Sequence, residues 1–563
     1  MKITFKDELT VSAVRTDEEI IERLMKSRNI EDVEHYIDPP SPLLMNIADF
    51  GYKDEVQKTI EILTRVKEKD GTVVVYTDYD ADGITGGTIL WETLHLLGFK
   101  VMPYVPHRKH EGYGFSIKGI DSVREKYNPS LIISVDHGIA AAEKVTYAKS
   151  IGIPIIITDH HLKPELIPLD AEAIFHIPAL SGSGVSYFFS KMIYEHFGDK
   201  AAPHNQQRLQ RNFETDYVSI ASVGTIADLV PLIGPSRSIA KYGLAAFPQM
   251  DRVGFKHLFK EAGIEGKKIT PYEVGFVIAP RINAIGRLEH ALDALRLLCT
   301  TSEERAYSLA SKMGTTNQNR QELVKEAIVE AKQQVEQMGE KADLPRVLTL
   351  VSTSWHEGII GLIASKMVDL YSRPVIVMTQ GDGFLKGSAR SISAFHITNF
   401  LRSLKDYLID AGGHQQAAGF TLKTEMLDTF REQVTLQSAK LLKEEDLVRV
   451  IEADLKIPVT AAKLSLVQKL EKLEPFGIGN PQPLFYSEAE IVDAKLFGKT
   501  KTHLKLFIKT PGVTHAPLEL IAFSAAERYP TITKGHTIQV AYNLEVDRWG
   551  YTEKLRGRAK DWL

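Results

Sequence analysis

The sequence predicts an α/β protein in which strands alternate with helices, followed by a smaller region of strands alone. Three observations carry this. First, three apolar runs each end in a polar cluster. Val73-Val74-Val75 leads into Tyr76-Thr77-Asp78-Tyr79-Asp80-Ala81-Asp82-Gly83, Leu131-Ile132-Ile133-Ser134-Val135 into Asp136-His137-Gly138, and Ile155-Ile156-Ile157-Thr158 into Asp159-His160-His161. Such runs read as strands buried on both faces, as in parallel sheets. Second, Leu90, Leu94 and Leu97 recur at helical spacing after the first run, so strand and helix alternate from about 52 to 232 as in a doubly wound domain. Third, from about 448 the segments are short, alternating and separated by turn residues. Ligands of open parallel sheets bind beyond the carboxyl ends of the strands. The three ends therefore bring five carboxylates and three imidazoles to one rim. Like charges so close repel, and only cations make the cluster tolerable, so a metal site is expected there.

Length and composition set bounds. At 563 residues the chain is too long for one core, and about 150 residues per domain gives three or four. A composition of 44% hydrophobic and 25% charged residues is that of a globular protein. The net charge of -4 does not advertise a nucleic-acid partner, so such a partner must be met by a local basic surface. The single cysteine, Cys299, excludes a disulfide within the monomer and reads as a core thiol. The N-terminus lacks a signal-type apolar core and no stretch reaches the ~18 apolar residues of a membrane span. The reading is a cytoplasmic protein with no membrane contact.

Residues 1–50 read as a helical lead-in, ended by the rigid Asp38-Pro39-Pro40-Ser41-Pro42. The basic, glycine-punctuated loop from Val105 to Gly114, including Arg108, is either a solvated connection or a phosphate holder. Ser181-Gly182-Ser183-Gly184 offers backbone N–H groups at a helix start, or simply packs closely. Asp228 is the one carboxylate in an apolar stretch, which suits a metal ligand, with a helix or turn cap as the bland reading. Arg281, Asn283 and Arg287 lie among small residues and suit phosphate contacts. Residues 301–338 read as helix apart from Gly314; the part from 315 would span roughly 36 Å, with a stripe of Leu323, Ala327, Ile328, Ala331, Val335 and Met338.

A second α/β segment, 345–443, carries three glycine-rich polar clusters: Trp355-His356-Glu357-Gly358-Ile359-Ile360-Gly361, Gly387-Ser388-Ala389-Arg390-Ser391 and Gly412-Gly413-His414. Glycines let a backbone approach a ligand, and Ser, Arg and His can hold its phosphate. After the rigid Pro475-Phe476-Gly477-Ile478-Gly479-Asn480-Pro481, residues 495–509 alternate cations with apolar residues. On a strand that gives a basic face opposite a core face, suited to a small barrel that binds single strands, or to an ordinary solvated face.

Together these motifs resemble the DHH phosphoesterase superfamily, named for Asp159-His160-His161. Within it the chain is similar to the RecJ family of single-strand-specific 5′→3′ exonucleases. That likeness is carried by Asp78-Tyr79-Asp80-Ala81-Asp82-Gly83, Glu111-Gly112-Tyr113-Gly114, Pro280-Arg281-Ile282-Asn283-Ala284-Ile285-Gly286-Arg287 and Pro475-Phe476-Gly477-Ile478-Gly479-Asn480-Pro481. The resemblance implies a lead-in (1–50), a DHH catalytic domain (51–300), a linking helix (301–340), a DHH-associated α/β domain (341–445) and a C-terminal OB-fold barrel (446–563), arranged as a ring. It implies hydrolysis of single-stranded DNA from the 5′ end to mononucleotides, in DNA repair and recombination. The implied partners are a DNA strand with a 5′ end and a single-strand-binding protein or helicase, with the chain itself a monomer.

The resemblance makes Asp78, Asp80, Asp136, His160, His161 and Asp228 the ligands of two divalent cations, Mn2+ or Mg2+, with Asp82 and Asp159 in support. It makes His414, with Gly413, the contact to the scissile phosphate, and Arg108, Ser388 and Arg390 the pocket for a 5′-phosphate. Arg281, Asn283 and Arg287 are further substrate contacts. Two departures stand out. The family commonly has His at the position of Tyr76, so either one metal site loses a ligand or Tyr76 supplies a phenolic oxygen or a water-held contact. The family's Asn-Pro turn is here His176-Ile177-Pro178. The rival readings are a DHH enzyme acting on short oligonucleotides or cyclic dinucleotides, and a non-catalytic DNA-binding scaffold.

Overall fold

A computed structural model describes residues 1–9, 16–108, 110–340, 343–381, 383–548 and 552–563, so Lys109 of the basic loop lies outside the described residues. The chain forms two compact units. The larger comprises residues 3–286, 290–313 and 451–563, and the smaller 1–2, 287–289 and 314–450.

At the centre of the larger unit is a five-stranded parallel sheet, in the order Lys100–Tyr104, Thr72–Thr77, Leu131–Val135, Ile155–Asp159, Ala173–His176. Alternation sorts the side chains between two cores. Val73, Val75, Leu131 and Ile133 pack with the helices Ala81–Leu96, Gly182–Phe197 and Asp216–Ala227. Val74, Tyr76, Ile132, Ile155 and Ile157 pack on the other side with Ile120, Val123 and Val145. The register sets the rim: Thr77 lies opposite Val135, and Val135 opposite Thr158. The residues that follow, Asp78, Asp136 and Asp159, therefore leave the sheet side by side.

The same unit holds a closed barrel in which Phe485–Phe497, His503–Lys509, Leu518–Ala522, Lys554–Trp562 and Thr537–Asp547 pair in turn, the last returning to the first. The predicted basic face exists but is partly neutralised: Lys505 pairs with Glu519 at 2.7 Å, Lys509 with Glu490 at 3.1 Å and Lys495 with Asp493 at 3.3 Å. The sheet continues through Val450–Lys456 to the strand Lys2–Glu8. The N-terminal segment is thus not helical throughout. Ile3 is buried beside Ile451, Ala453 and Tyr486, and Phe5 meets the Tyr486 ring at 5.1 Å. So short a strand is stabilised by its partner edge rather than by its own pattern.

The smaller unit contains a five-stranded mixed sheet, in the order Asp410–Gly413, Ala417–Lys423, Phe384–Arg390, Val375–Gln380, Leu348–Ser352. The helix Glu303–Gln337 runs unbroken through Gly314 for 35 residues. Of its expected stripe, Ala327, Ala331 and Val335 are buried, while Leu323 and Met338 are exposed. Among the described residues no helix is long and apolar enough to cross a membrane.

Candidate metal centre

The rim of the parallel sheet collects the motif residues. Asp78 and Asp136 directly follow their strands and are each 2% exposed. Asp80 caps the helix Ala81–Leu96, its Oδ1 accepting from the N–H groups of Asp82 and Gly83 at 3.0 Å each. Asp82, in the first turn of that helix, accepts from Gly182 N at 2.6 Å and Ser183 N at 2.9 Å, so its carboxylate fills the start of the helix Gly182–Phe197. Asp228 follows the last residue of the helix Asp216–Ala227. His160 Nε2 lies 3.1 Å from Asp136 Oδ1, 3.4 Å from Asp228 Oδ2 and 3.8 Å from Asp82 Oδ2.

Three overlapping sets converge, each with its donor atoms within 4.8 Å of one another: Asp78, Asp80 and Asp136; Asp82, His160 and Asp228; and Asp136, His160 and His161. All six residues expected as ligands are present, and Asp82 joins them. Among the described residues no lysine or arginine forms an ion pair with Asp78, Asp80, Asp82, Asp136 or Asp228. Asp78 Oδ1, Asp136 Oδ1 and His160 Nε2 are buried without a well-directed hydrogen bond, the last two lying 3.1 Å apart. Buried polar atoms are almost always satisfied, so three orphans facing one another in a ring of carboxylates fit divalent cations. The electrostatics agree. Burial, then repulsion from Asp80, pushes the Asp78 carboxyl well up. Burial, then Asp82 and Asp80, raises Asp228 to about 8.

The Asp159 carboxylate orients the two histidines. It accepts from the backbone N–H of Ile139 at 2.8 Å, of His160 at 2.7 Å and of His161 at 3.0 Å, and from His161 Nδ1 at 2.8 Å. Burial lowers the His161 pKa, but Asp159, Asp228 and Asp80 more than offset it, raising it to about 9.

Tyr76 does not offer its phenol to this cluster. Strand alternation turns it to the far face, where its ring packs on Phe115, His137 and Tyr104 and its hydroxyl donates to Gly114 O at 3.3 Å. Of the further expected contacts, Asn283 Oδ1 accepts from Ala81 N at 2.7 Å, which secures the helix after Asp80. Arg281 pairs with Glu261 at 2.6 Å, and Arg287 donates to Gly358 O at 3.0 Å. Arg108 is exposed, 5.1 Å over the Tyr79 ring, and its charge acts on Asp78.

In the smaller unit, Arg390 donates to Ser388 Oγ at 3.1 Å and Ala389 O at 2.9 Å, and burial lowers its pKa. Among the described residues no carboxylate pairs with it. Gly361 is next to the first residue of the helix Ile360–Tyr371, and a Cβ on it would stand 3.0 Å from the Arg390 guanidinium and 3.2 Å from Ser388 Oγ. His414 is exposed at a tight turn where its N–H donates to Ala417 O at 2.7 Å. Gly413 before it has a φ of +145°, and a Cβ there would lie 2.2 Å from Ala417 O.

Two residues beside the cluster carry no role in the sequence reading. Tyr113 places its hydroxyl 3.0 Å from His161 Nε2 and 3.2 Å from Asp136 O. His176 Nε2 bonds His161 O at 2.6 Å. The signal for Tyr113 was an aromatic residue between two glycines in a loop joining strand ends; the signal for His176 was the departure from Asn-Pro.

A parallel-sheet domain with this carboxylate and imidazole rim defines a metal-dependent phosphoesterase of the DHH class, and residues 72–225 match the DHH family N-terminal domain, with residues 345–439 matching the DHHA1 domain and 453–561 the RecJ OB domain. The single-stranded-DNA-specific exonuclease RecJ of Haemophilus influenzae is 30% identical over 573 residues, covering 99% of this chain and 98% of that protein. The Bacillus subtilis protein of the same name is 34% identical over 520 residues, 91% of this chain; the match spans 64% of its length. A crystal structure of RecJ from Thermus thermophilus in complex with Mn2+ superposes with a TM-score of 0.80 at 26% identity, covering all of this chain and 80% of that one. The chain belongs to the RecJ family.

Proposed function

We propose that the protein is a metal-dependent exonuclease that degrades single-stranded DNA in the 5′→3′ direction to mononucleotides. The observation that carries this is the rim: seven convergent carboxylates and imidazoles, three of them with orphaned buried atoms and, among the described residues, none of the carboxylates paired with a lysine or arginine. Asp78, Asp80 and Asp136 would hold one divalent ion, and Asp82, His160 and Asp228 a second; Asp136 and His161 also form a third donor set with His160. When bound, such ions supply the positive charge that activates water and stabilises the phosphoryl transition state. Manganese and magnesium suit the carboxylates, and the imidazoles favour manganese.

The remaining roles belong to the chain's own groups. Asp159 fixes both histidines through their backbone N–H groups and the His161 ring, so the His160 side chain enters the cluster in one orientation. Asn283 and Asp80 together hold the start of the helix that carries Asp82. Arg390, Ser388 and Gly361 form an anion cradle in the smaller unit, which we assign to a 5′-terminal phosphate; Arg108, in the larger unit, is assigned separately to a phosphate contact. His414, exposed after Gly413, is assigned to the scissile phosphate. Arg281 and Arg287 are assigned to the strand's backbone, which for Arg281 means exchanging Glu261 for phosphate. The closed barrel favours a long single strand over short oligonucleotides, because a barrel is needed only where the strand extends beyond the site.

The test is degradation of 5′- and 3′-labelled single and double strands with Mn2+ or Mg2+. The expected result is early release of a 5′ label as mononucleotide, from single strands only. Release of the 3′ label first, or activity confined to short oligonucleotides, overturns the reading.

A further inference from the structure

The sequence motif 475–481 has no part in the chemistry above, yet it meets the segment that carries Asp228. After Asp228, Leu229 adopts a left-handed φ of +60° while its side chain is 66% exposed, so nothing in its own packing favours that conformation. The next residues are pinned. Leu232, 1% exposed, donates its N–H to Ile478 O at 2.7 Å. Gly477 leaves room for the Leu232 side chain: a Cβ there would stand 2.7 Å from Leu232 Cδ1. Gly479, at φ +74°, lies against Pro231, where a Cβ would be 2.9 Å from Pro231 Cβ and 3.2 Å from its Cα.

The turn itself is clamped from both sides. Arg237, 1% exposed and five residues beyond Leu232, donates to Leu473 O at 3.0 Å and Glu474 O at 3.2 Å, with its guanidinium 4.2 Å over the Tyr36 ring. Among the described residues no carboxylate neutralises it, so its hydrogen-bonding capacity goes to carbonyls. Asn480, fully buried, donates to Leu473 O and Pro475 O and accepts from Arg28, which pairs with Asp454 on the strand Val450–Lys456 at 2.7 Å. A continuous set of buried hydrogen bonds thus runs from a strand of the barrel's sheet to the residues just after Asp228.

We propose that the 473–480 turn is a positioning element for the metal centre: by fixing Pro231 and Leu232 it holds the left-handed Leu229 and so aims the Asp228 carboxylate at His160 and Asp82. The proposal rests on the reading of Asp228 as an ion ligand. Outer groups that orient a ligand typically change metal affinity by about 10- to 100-fold when altered.

The experiment uses the full chain and measures Mn2+ binding by the loss of the free-ion electron paramagnetic resonance signal, with thermal unfolding in EDTA alongside. Gly479→Ala is compared with Gly535→Ala, a barrel glycine at φ +83° with open space around it. Both incur the left-handed backbone penalty, but only the first presses on Pro231. The expected result is about a tenfold loss of affinity at one of two Mn2+ equivalents for Gly479→Ala and none for Gly535→Ala. Gly477→Ala, whose clash is with the end of a flexible side chain, is the milder second variant, with a loss in the same direction. In an Asp228→Asn background, Gly479→Ala should add no further loss, because both act on one ligand. Wild-type Mn2+ affinity in both Gly479→Ala and Gly477→Ala, or full additivity with Asp228→Asn, overturns the positioning role. Unchanged binding in Asp228→Asn alone overturns instead the ligand reading beneath it.

Discussion

In the unit built on the parallel sheet, Asp78, Asp82 and Asp136 are withdrawn from water and, among the described residues, no lysine or arginine forms an ion pair with them. In the smaller unit the signs are reversed: Arg390 is half-buried, with a hydroxyl and a carbonyl for partners and no carboxylate among the described residues. Burial pushes the carboxyls of Asp78 and Asp136 up and the guanidinium of Arg390 down, so each site resists its own charge. A buried charge without a partner is costly, and it persists where a ligand of opposite sign completes it. The contrast supports the proposed occupants: cations in the first unit and an anion in the second.

The comparison breaks most visibly at Asp136, which is shared by two of the three donor sets. Asp136→Ala should lower turnover by about 10³-fold or more, since it removes a donor from two of the three sets. Far-ultraviolet ellipticity should be unchanged, because the substitution removes a crowded carboxyl beyond the end of the strand Leu131–Val135 and leaves the sheet itself intact. Residual turnover within tenfold of wild type would place the chemistry elsewhere. On the anion side, Arg390→Gln should raise KM for a 5′-phosphorylated strand by about 10- to 100-fold, the worth of a charge-assisted contact, and leave a 5′-hydroxyl strand nearly unchanged. Gly361→Ala should act in the same sense but less, by crowding the guanidinium. Equal effects on both strand ends would remove phosphate as the occupant. A smaller change is expected at His176, whose Nε2 bonds the His161 carbonyl. His176→Ala should raise the Mn2+ concentration for half-maximal rate by about fivefold, the worth of one hydrogen bond, with His176→Gln partly restoring it.

How far these sites could be read from sequence follows from how local each determinant is. The strand ends at Asp78, Asp136 and Asp159 were legible because β-branched runs fix the strands and the parallel register then aligns their ends. The barrel was legible from its alternation. For Tyr76 two readings were open, a lost ligand or a phenolic or water-held contact; alternation through Val73, Val74 and Val75 turns its ring away from the rim, which leaves the first. Asn283 lies about 200 residues from Ala81, and nothing local announces that its carboxamide caps the helix after Asp80. The strand Lys2–Glu8 escaped for a related reason, since the edge that stabilises it comes from Val450–Lys456. Asp82 was expected only to support the site, because a sequence cannot tell which of three alternating carboxylates the helix start will turn inward.

The last test sharpens the contrast through pH. Asp228 in the metal-free fold is raised to about 8 by burial and by Asp82 and Asp80, whereas an unfolded carboxyl titrates near 4. Between these values the folded chain holds a proton that the unfolded chain has released, so rising pH favours unfolding. Asp78 and Asp136, also raised, act in the same direction. So does His161, raised to about 9: its bound proton stabilises the fold below the unfolded value near 6.5, and that contribution is lost as pH climbs through 9. The melting temperature in EDTA should therefore fall by a few degrees from pH 6 to pH 9. With saturating Mn2+ the cation takes the place of the protons, and the decline should flatten or reverse. Asp228→Asn, which cannot ionise, should show a shallower decline in EDTA than the wild type. Identical slopes with and without Mn2+ would mean that the carboxylates of the rim are not what the ion answers.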